Sequence, residues 1–213
     1  MEVRVSPNRM QLLRLKKRLV VAARGHKLLK DKLDELMKHF LELVRRDRKL
    51  REAVDQKLGD AFRGFLIARG AMSSSAVNAA LMYPKEMVTL RASQRHVLNV
   101  EVPCFEWSFA GQEDRTNIYP YGFAYTSPEL DAAIRLLSEA MPSLVELAEV
   151  EKSVELLADE IEKTRRRVNA LEYVLIPQLE QSITYITMKL DEAERGNLTR
   201  LMKIKDMVRE RSV

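Results

Sequence analysis

The sequence predicts a mainly α protein: a long antiparallel two-helix coiled coil formed by the N- and C-terminal helices, with a small α+β insertion, β-hairpin-like, at the distal end. Three observations carry that prediction. Apolar residues recur in steps of three and four over residues 12–54 and again over 147–204, and stripes of that length need a buried partner. Charged residues make up 31% of the chain and aromatics only 6%, with seven Gly and seven Pro, a balance of surface-rich helices rather than of a packed α/β domain. Strict alternation of apolar and polar residues is confined to the middle of the chain, near residues 97–109, where it marks strands. Residues 1–69 are read as the N-terminal coiled-coil helix, 70–142 as the central insertion with short helices and a small β element, and 143–213 as the C-terminal coiled-coil helix.

At the start, Ser6 and Pro7 read as an N-cap followed by a proline in the first turn. The stripe then runs through Leu12, Leu15, Leu19, Ala22, His26, Leu29, Leu33, Leu36, Phe40, Leu43, Asp47, Leu50 and Val54, with a mean spacing of 3.5 residues. That spacing implies a left-handed supercoil. The polar residues His26 and Asp47 interrupt the seam. His26 reads as a register-fixing polar residue, and Asp47 as a half-solvated acid that needs a nearby arginine to offset its burial.

After Lys57 the pattern loosens, and Gly59, Gly64 and Gly70, followed by Ser73, Ser74 and Ser75, mark the end of this helix. A short helix stopped by Pro84 follows. Residues 97–102 and 104–109 read as two strands, residues 111–117 as a polar turn, and residues 118–125 as a return strand. Ser127, Pro128 and Glu129 restart helix. Pro142 is expected to interrupt it, so that the second long helix begins at Ser143.

From there Leu147, Val150, Val154, Leu157, Ile161, Thr164, Val168, Leu171 and Leu175 keep heptad steps. The stripe continues through Leu179, Ile183, Ile186, Leu190, Ala193, Leu201 and Ile204. From Leu175 through Leu179, Ile183 and Ile186 the stripe contains an added four-residue step, a stutter that relaxes the supercoil locally, and Pro177 inside it removes a backbone hydrogen bond and bends the helix. If the two helices face each other with their chain ends level, paired positions sum to about 213. That places Leu12 near Leu201, Leu29 near Ile183, Leu43 near Leu171, Leu50 near Thr164 and Asp47 near Arg166.

The net charge of +5 and pI near 9.3 hide a division. Residues 1–50 carry 15 Lys and Arg against 6 Asp and Glu, residues 51–160 carry 10 against 17, and residues 161–213 carry 11 against 8. The paired ends are therefore basic and the middle acidic, which suits a polar partner at the basic end. The single Cys104 cannot form an intramolecular disulfide. Neither the first ten residues nor any later run has the apolar character of a signal peptide or membrane span, so the expected location is cytoplasmic.

Enzymatic constellations do not emerge. There is no GxxxxGK[ST] and no GxGxxG after a strand, and His26, His39 and His96 lack metal-ligand spacing. No catalytic residue, cofactor, metal, direct nucleotide or direct nucleic acid contact is expected. The run Arg165, Arg166, Arg167 is the one basic cluster of interest: it reads either as a solvated face, one member neutralising Asp47, or as a contact for an acidic surface. A free-standing coiled-coil scaffold or a nucleic-acid-associated protein is the alternative function class, separable by copurification with nucleotide-binding chains on one side and steep salt dependence of DNA or RNA binding on the other.

Specific residues carry a resemblance. Thr164 to Glu172 (TRRRVNALE), then Ile176 and Pro177, Ile183 to Ile186 (ITYI), Leu190 to Arg195 (LDEAER), Arg200 with Leu201, and Lys203 to Lys205 (KIK) resemble the C-terminal signature of the D subunits of V-type and A-type rotary ATPases. Pro7, the Leu12 to Leu19 block, Gly25, and Leu28, Leu29, Lys30, Lys32 and Asp34 resemble the matching N-terminal signature. The resemblance implies a non-catalytic central-stalk rotor subunit that couples ATP synthesis or hydrolysis to ion transport, peripheral to the membrane in the soluble sector of the complex. Its implied partners are the catalytic A and regulatory B subunits of the ring, the small F subunit, and a funnel-shaped subunit linking to the membrane ion ring. In that setting Arg165, Arg166, Arg167 and Pro177 are the partner-interface candidates. Leu12, Leu19, Leu29, Leu36, Leu43, Leu50, Val168, Leu171, Leu175, Ile183, Ile186 and Leu190 form the expected coiled-coil seam.

Overall fold

A computed structural model describes residues 6–110, 118–122 and 126–211. Its elements are α1 (Arg9–Ala71), α2 (Ser74–Ala80), β1 (Met87–Val97), β2 (Val100–Ala110), α3 (Pro128–Ala170), a five-residue π turn (Leu171–Leu175) and α4 (Ile176–Arg211). The protein is thus mainly helical, with long helices at both ends of the chain and one antiparallel hairpin between them. It divides into two compact units, Met1–Glu35 with Ile161–Val213, and Leu36–Glu160.

In the first unit, the N-terminal part of α1 lies antiparallel to the end of α3, the π turn and α4. Asn8, not Ser6, caps α1: its side-chain oxygen accepts from the Met10 amide at 3.2 Å, as an N-cap requires. Leu15, Leu179 and Ile186 form the core, with Leu12, Leu19, Ala22, Ile183 and Leu190 packed against it. The register differs from the level-ended one. Arg9 pairs with Glu194 and His26 with Glu172 at 3.3 Å, so facing positions add to about 200, an offset of more than three helical turns. Leu12 therefore does not reach Leu201. Interdigitation of the seam leucines sets the register, and the level of the chain ends has no energetic weight. The stripe beyond Leu190 consequently faces solvent, with Leu201 and Ile204 exposed at 62 and 50%.

The expected stutter takes a defined form. The Ile176 amide donates to the Leu171 carbonyl, five residues back, which is π geometry, and a π turn holds one residue more than an α turn. The break in heptad spacing therefore coincides with this widened turn, and the seam is buried again at Leu179. Pro177 has no amide to offer the Tyr173 carbonyl four residues earlier, so a widened turn at this point relieves the clash that proline imposes on a regular helix.

In the second unit, the rest of α1 packs against the first part of α3. Leu36, Val54, Val150 and Leu157 are almost wholly buried. Glu146 and Glu151 accept from Arg46 and Arg51 across the pair, and Lys57 donates to the Ser143 hydroxyl at 3.1 Å. The seam does not stop at Lys57. It shifts by one residue and continues through the half-buried Leu58, the buried Ala61, the half-buried Phe65 and the buried Ala68. At Gly64 α1 and α3 approach closely, since a β-carbon there would lie 3.3 Å from the Ala133 β-carbon. Its role is close approach within the helix, not helix termination. Ala68, Ala80 and Leu130 form a further cluster with Phe65, Met72, Tyr121 and Ile134.

Pro142 does not break α3; it lies inside the helix, which begins at Pro128 rather than at Ser143. The strands also differ from expectation. The alternation of residues 97–102 straddles a two-residue turn at Leu98 and Asn99, whose φ values of 49° and 72° are those of a hairpin turn with two left-handed residues. Residues 100–110 are one strand, running through Pro103, in register from Val97↔Val100 to Met87↔Ala110. Pro103 is tolerated because its nitrogen faces away from β1. Phe105, two residues on and of the same parity, sends its amide to the Glu149 carboxylate at 2.9 Å, not into the ladder. The sheet has two strands only, so the far edge of β1 pairs with no strand among the described residues. Residues 118–122 are not strand, and residues 111–117 and 123–125 lie outside the described residues.

Candidate partner interfaces

The seam residues named above fall in three environments. Leu36, Val168 and Ile186 are buried; Leu12, Leu19, Leu29, Leu43, Leu50, Leu171, Ile183 and Leu190 are half-buried. Leu175 is 42% exposed, because the π turn swings it partly off the interface. Burial of this kind holds helices together at about 25 cal/mol per Å² of apolar surface. Among the described residues, no cluster of three or more His, Cys, Asp or Glu could hold a metal ion. No helix among them is long and apolar enough to cross a membrane.

The polar seam residues have distinct surroundings. His26, mostly enclosed, meets Glu172 in the π turn, which ties the register to that turn. Asp47 does not pair with Arg166. Arg166 bonds Glu162 one turn earlier on its own helix, and Asp47 has an enclosed Oδ1 with no hydrogen-bond donor. Arg51, one turn along α1 and held above the usual guanidinium range first by Glu151, also feels the Asp47 charge.

Arg165, Arg166 and Arg167 are all exposed. Three consecutive helical residues span about 200° of the circumference, so the patch fans around α3 instead of forming a single stripe. The Arg166–Glu162 pair, with side chains 75 and 61% exposed, contributes about 0–1 kcal/mol and leaves that guanidinium available to a stronger acidic partner. Pro177 is half-buried at the start of α4, next to the exposed Tyr173 and Val174 of the π turn.

A surface that heptad spacing does not reveal lies on α1. Met10, Leu13 and Val21 are exposed at 73, 58 and 68%. They line a groove of about 790 Å³ whose other wall is Leu171, Leu175 and Leu179 and whose rim carries Arg14, Lys17 and Arg18. Its signal in the sequence is a second apolar set beside the seam leucines. The heptad stripe masks that set, because the stripe alone suffices to account for the helix.

In the second unit the hairpin is fastened to α3 through the Phe105–Glu149 bond, and its Val100 and Val102 are buried, 8 and 1% exposed. Trp107 and Phe109 stack edge-to-face with centroids 5.3 Å apart. Tyr121 donates to Asp131 at 2.7 Å. Burial, then the Asp131 carboxylate, pushes its phenol well above the ordinary tyrosine range.

Comparison with known proteins places these surfaces in context. Residues 11–206 match the family model of the ATP synthase D subunit. The chain is 60% identical to the V-type ATP synthase D subunit of Acetivibrio thermocellus, over 99% of this chain and 94% of that one. It is 57% identical to the protein of the same name from a Thermoanaerobacter species, over 97% of each chain. With that of Clostridium botulinum it shares 51% identity, over 99% of this chain and 98% of the relative.

Proposed function

Because the chain belongs to the ATP synthase D subunit family, we propose that it is the non-catalytic central-stalk rotor of a V-type or A-type ATP synthase. In this reading it couples ATP turnover in a ring of catalytic A and regulatory B subunits to ion movement across the membrane. Its other partners are the small F subunit and a funnel-shaped subunit on the membrane ion ring. The observation that carries the proposal is the coincidence of the family match, spanning residues 11–206, with leucine seams that join both terminal thirds of the chain to a helical neighbour.

A paired-helix seam suits torque because twisting one helix against the other breaks many side-chain contacts at once, whereas a lone helix resists only through its own backbone bonds. A rotor must also be asymmetric, so that the ring's three nucleotide sites meet different faces in turn. The proposal assigns that asymmetry to the π turn with Pro177 on one side and to the fan of Arg165, Arg166 and Arg167 on another. Coupling is then an energetic linkage between distant sites through a stiff element.

Replacing Arg165, Arg166 and Arg167 together by alanine tests the assignment in the reconstituted complex. Ion-coupled turnover should fall several-fold, while the isolated chain keeps its helical circular dichroism and urea midpoint, because these side chains are exposed and contribute little to folding. Full coupling in the triple variant would remove the arginines from the mechanism. Wild-type chain that fails to enter a complex with ATP-hydrolysing subunits would remove the rotor reading itself.

A further inference from the structure

We propose that the groove beside the π turn is a docking site for a single amphipathic helix of a neighbouring subunit, one whose apolar stripe is flanked by carboxylates. The inference rests on the rotor reading, since it requires the chain to work inside an assembly, and it names the chemistry of one contact there.

Four features of the first unit converge on it. Met10, Leu13 and Val21, at 73, 58 and 68% exposure, stand on α1 with spacings of three and eight residues, outside the buried leucine seam but bordering the same groove as Leu171, Leu175 and Leu179. Apolar groups aligned in this way beside a concave wall mark an interaction surface, whereas apolar residues scattered singly do not. The opposite wall is Leu171, Leu175 and Leu179, and the π turn is what leaves Leu175 42% uncovered. The groove therefore lies where the helix widens into the π turn.

Gly25 closes the argument about shape. It sits in the interior of α1, where glycine is less stable than alanine, yet nothing beyond its own stretch of helix lies within 4 Å of where its β-carbon would be. No described neighbour demands a glycine there. The groove it lines stays open at its floor, as close approach of another backbone requires. Between Met10 and Gly25 the groove follows α1 for about 22 Å, the length of roughly four turns of a partner helix, and helix-in-groove recognition uses anchors at that spacing.

Charge selects the partner. The rim residues Arg14, Lys17 and Arg18 are all cationic, and the lining includes no Asp or Glu. A second copy of this chain would bring the same cations against them, whereas a helix bearing Asp or Glu beside its apolar face is attracted and oriented.

The test uses the purified intact complex. A benzophenone amino acid at position 21, activated by light, should cross-link mainly to one helical peptide of another subunit in which Asp or Glu flanks apolar residues. Cross-links to a second copy of this chain, to a peptide lacking carboxylates, or to nothing in an intact complex would overturn the proposal. Gly25→Leu and Gly25→Ala provide the second measurement. Both should leave the thermal midpoint of the isolated chain equal or raised, because space is free and alanine and leucine favour helix. Gly25→Leu should nevertheless weaken incorporation into the complex at least tenfold, with Gly25→Ala intermediate. Wild-type incorporation of Gly25→Leu sinks the groove proposal alone; a wild-type chain that never assembles sinks the rotor reading and this contact with it.

Discussion

Asp47 is the residue whose surroundings depart furthest from what its position in the seam requires. A carboxylate oxygen enclosed without a donor loses hydration and gains nothing local in return except the charge of Arg51, a balance that destabilises. Asp47→Leu should therefore raise the unfolding free energy of the isolated chain by about 1–2 kcal/mol, read from urea denaturation followed by helical circular dichroism. A loss of stability instead would show that the acid has a donor in the folded protein. The sequence shows that position 47 falls on the seam, because heptad spacing is local information. It does not show the partner, because that depends on register, and register is fixed by side chains more than a hundred residues away. The same limit hides Glu172 as the neighbour of His26. Asn8 as the cap, by contrast, is within reach of the sequence; Ser6 and Pro7 imitate a helix start two residues too early.

Among the elements, the long helices are legible because their periodicity repeats over many turns, and the hairpin is only half so. β2 announces itself through Phe105, Trp107 and Phe109. β1 does not, since its residues are exposed on both faces for nearly its whole length and so carry no apolar alternation. Two prolines mislead for one reason. Pro142 and Pro103 each remove an amide, but the first is accommodated inside α3 and the second points its nitrogen away from the ladder, so neither ends its element. Pro177 does coincide with a break in spacing, and the π turn gives that break its geometry. Pro177→Ala restores a donor for the Tyr173 carbonyl and should raise the thermal stability of the isolated chain by about 1–3 kcal/mol. In the assembled complex the same change should reduce coupling if the widened turn supplies asymmetry. A variant equally coupled and more stable would show that the proline serves no mechanical purpose.

Over the whole molecule, the two units draw on α1 and α3 in common but are held by separate cores, Leu15 with Ile186 in one and Leu36, Val54 and Leu157 among the buried residues of the other. The end of α4 belongs to neither core: every residue from Asp191 to Arg209 is exposed. Truncation before Gly196 should accordingly shift the urea midpoint of the isolated chain by no more than the equivalent of about 0.5 kcal/mol. A large loss would mean that this segment folds back on the rest. The hairpin has a different consequence for the protein handled alone. Every second residue of β1 presents its amide and carbonyl along a side that no described strand covers, and such a margin invites chains to add onto one another. The guanidinium charges of Arg91 and Arg95 on β1 should repel the same strand of a second copy, so concentrated or high-salt preparations are where stray oligomers should first collect.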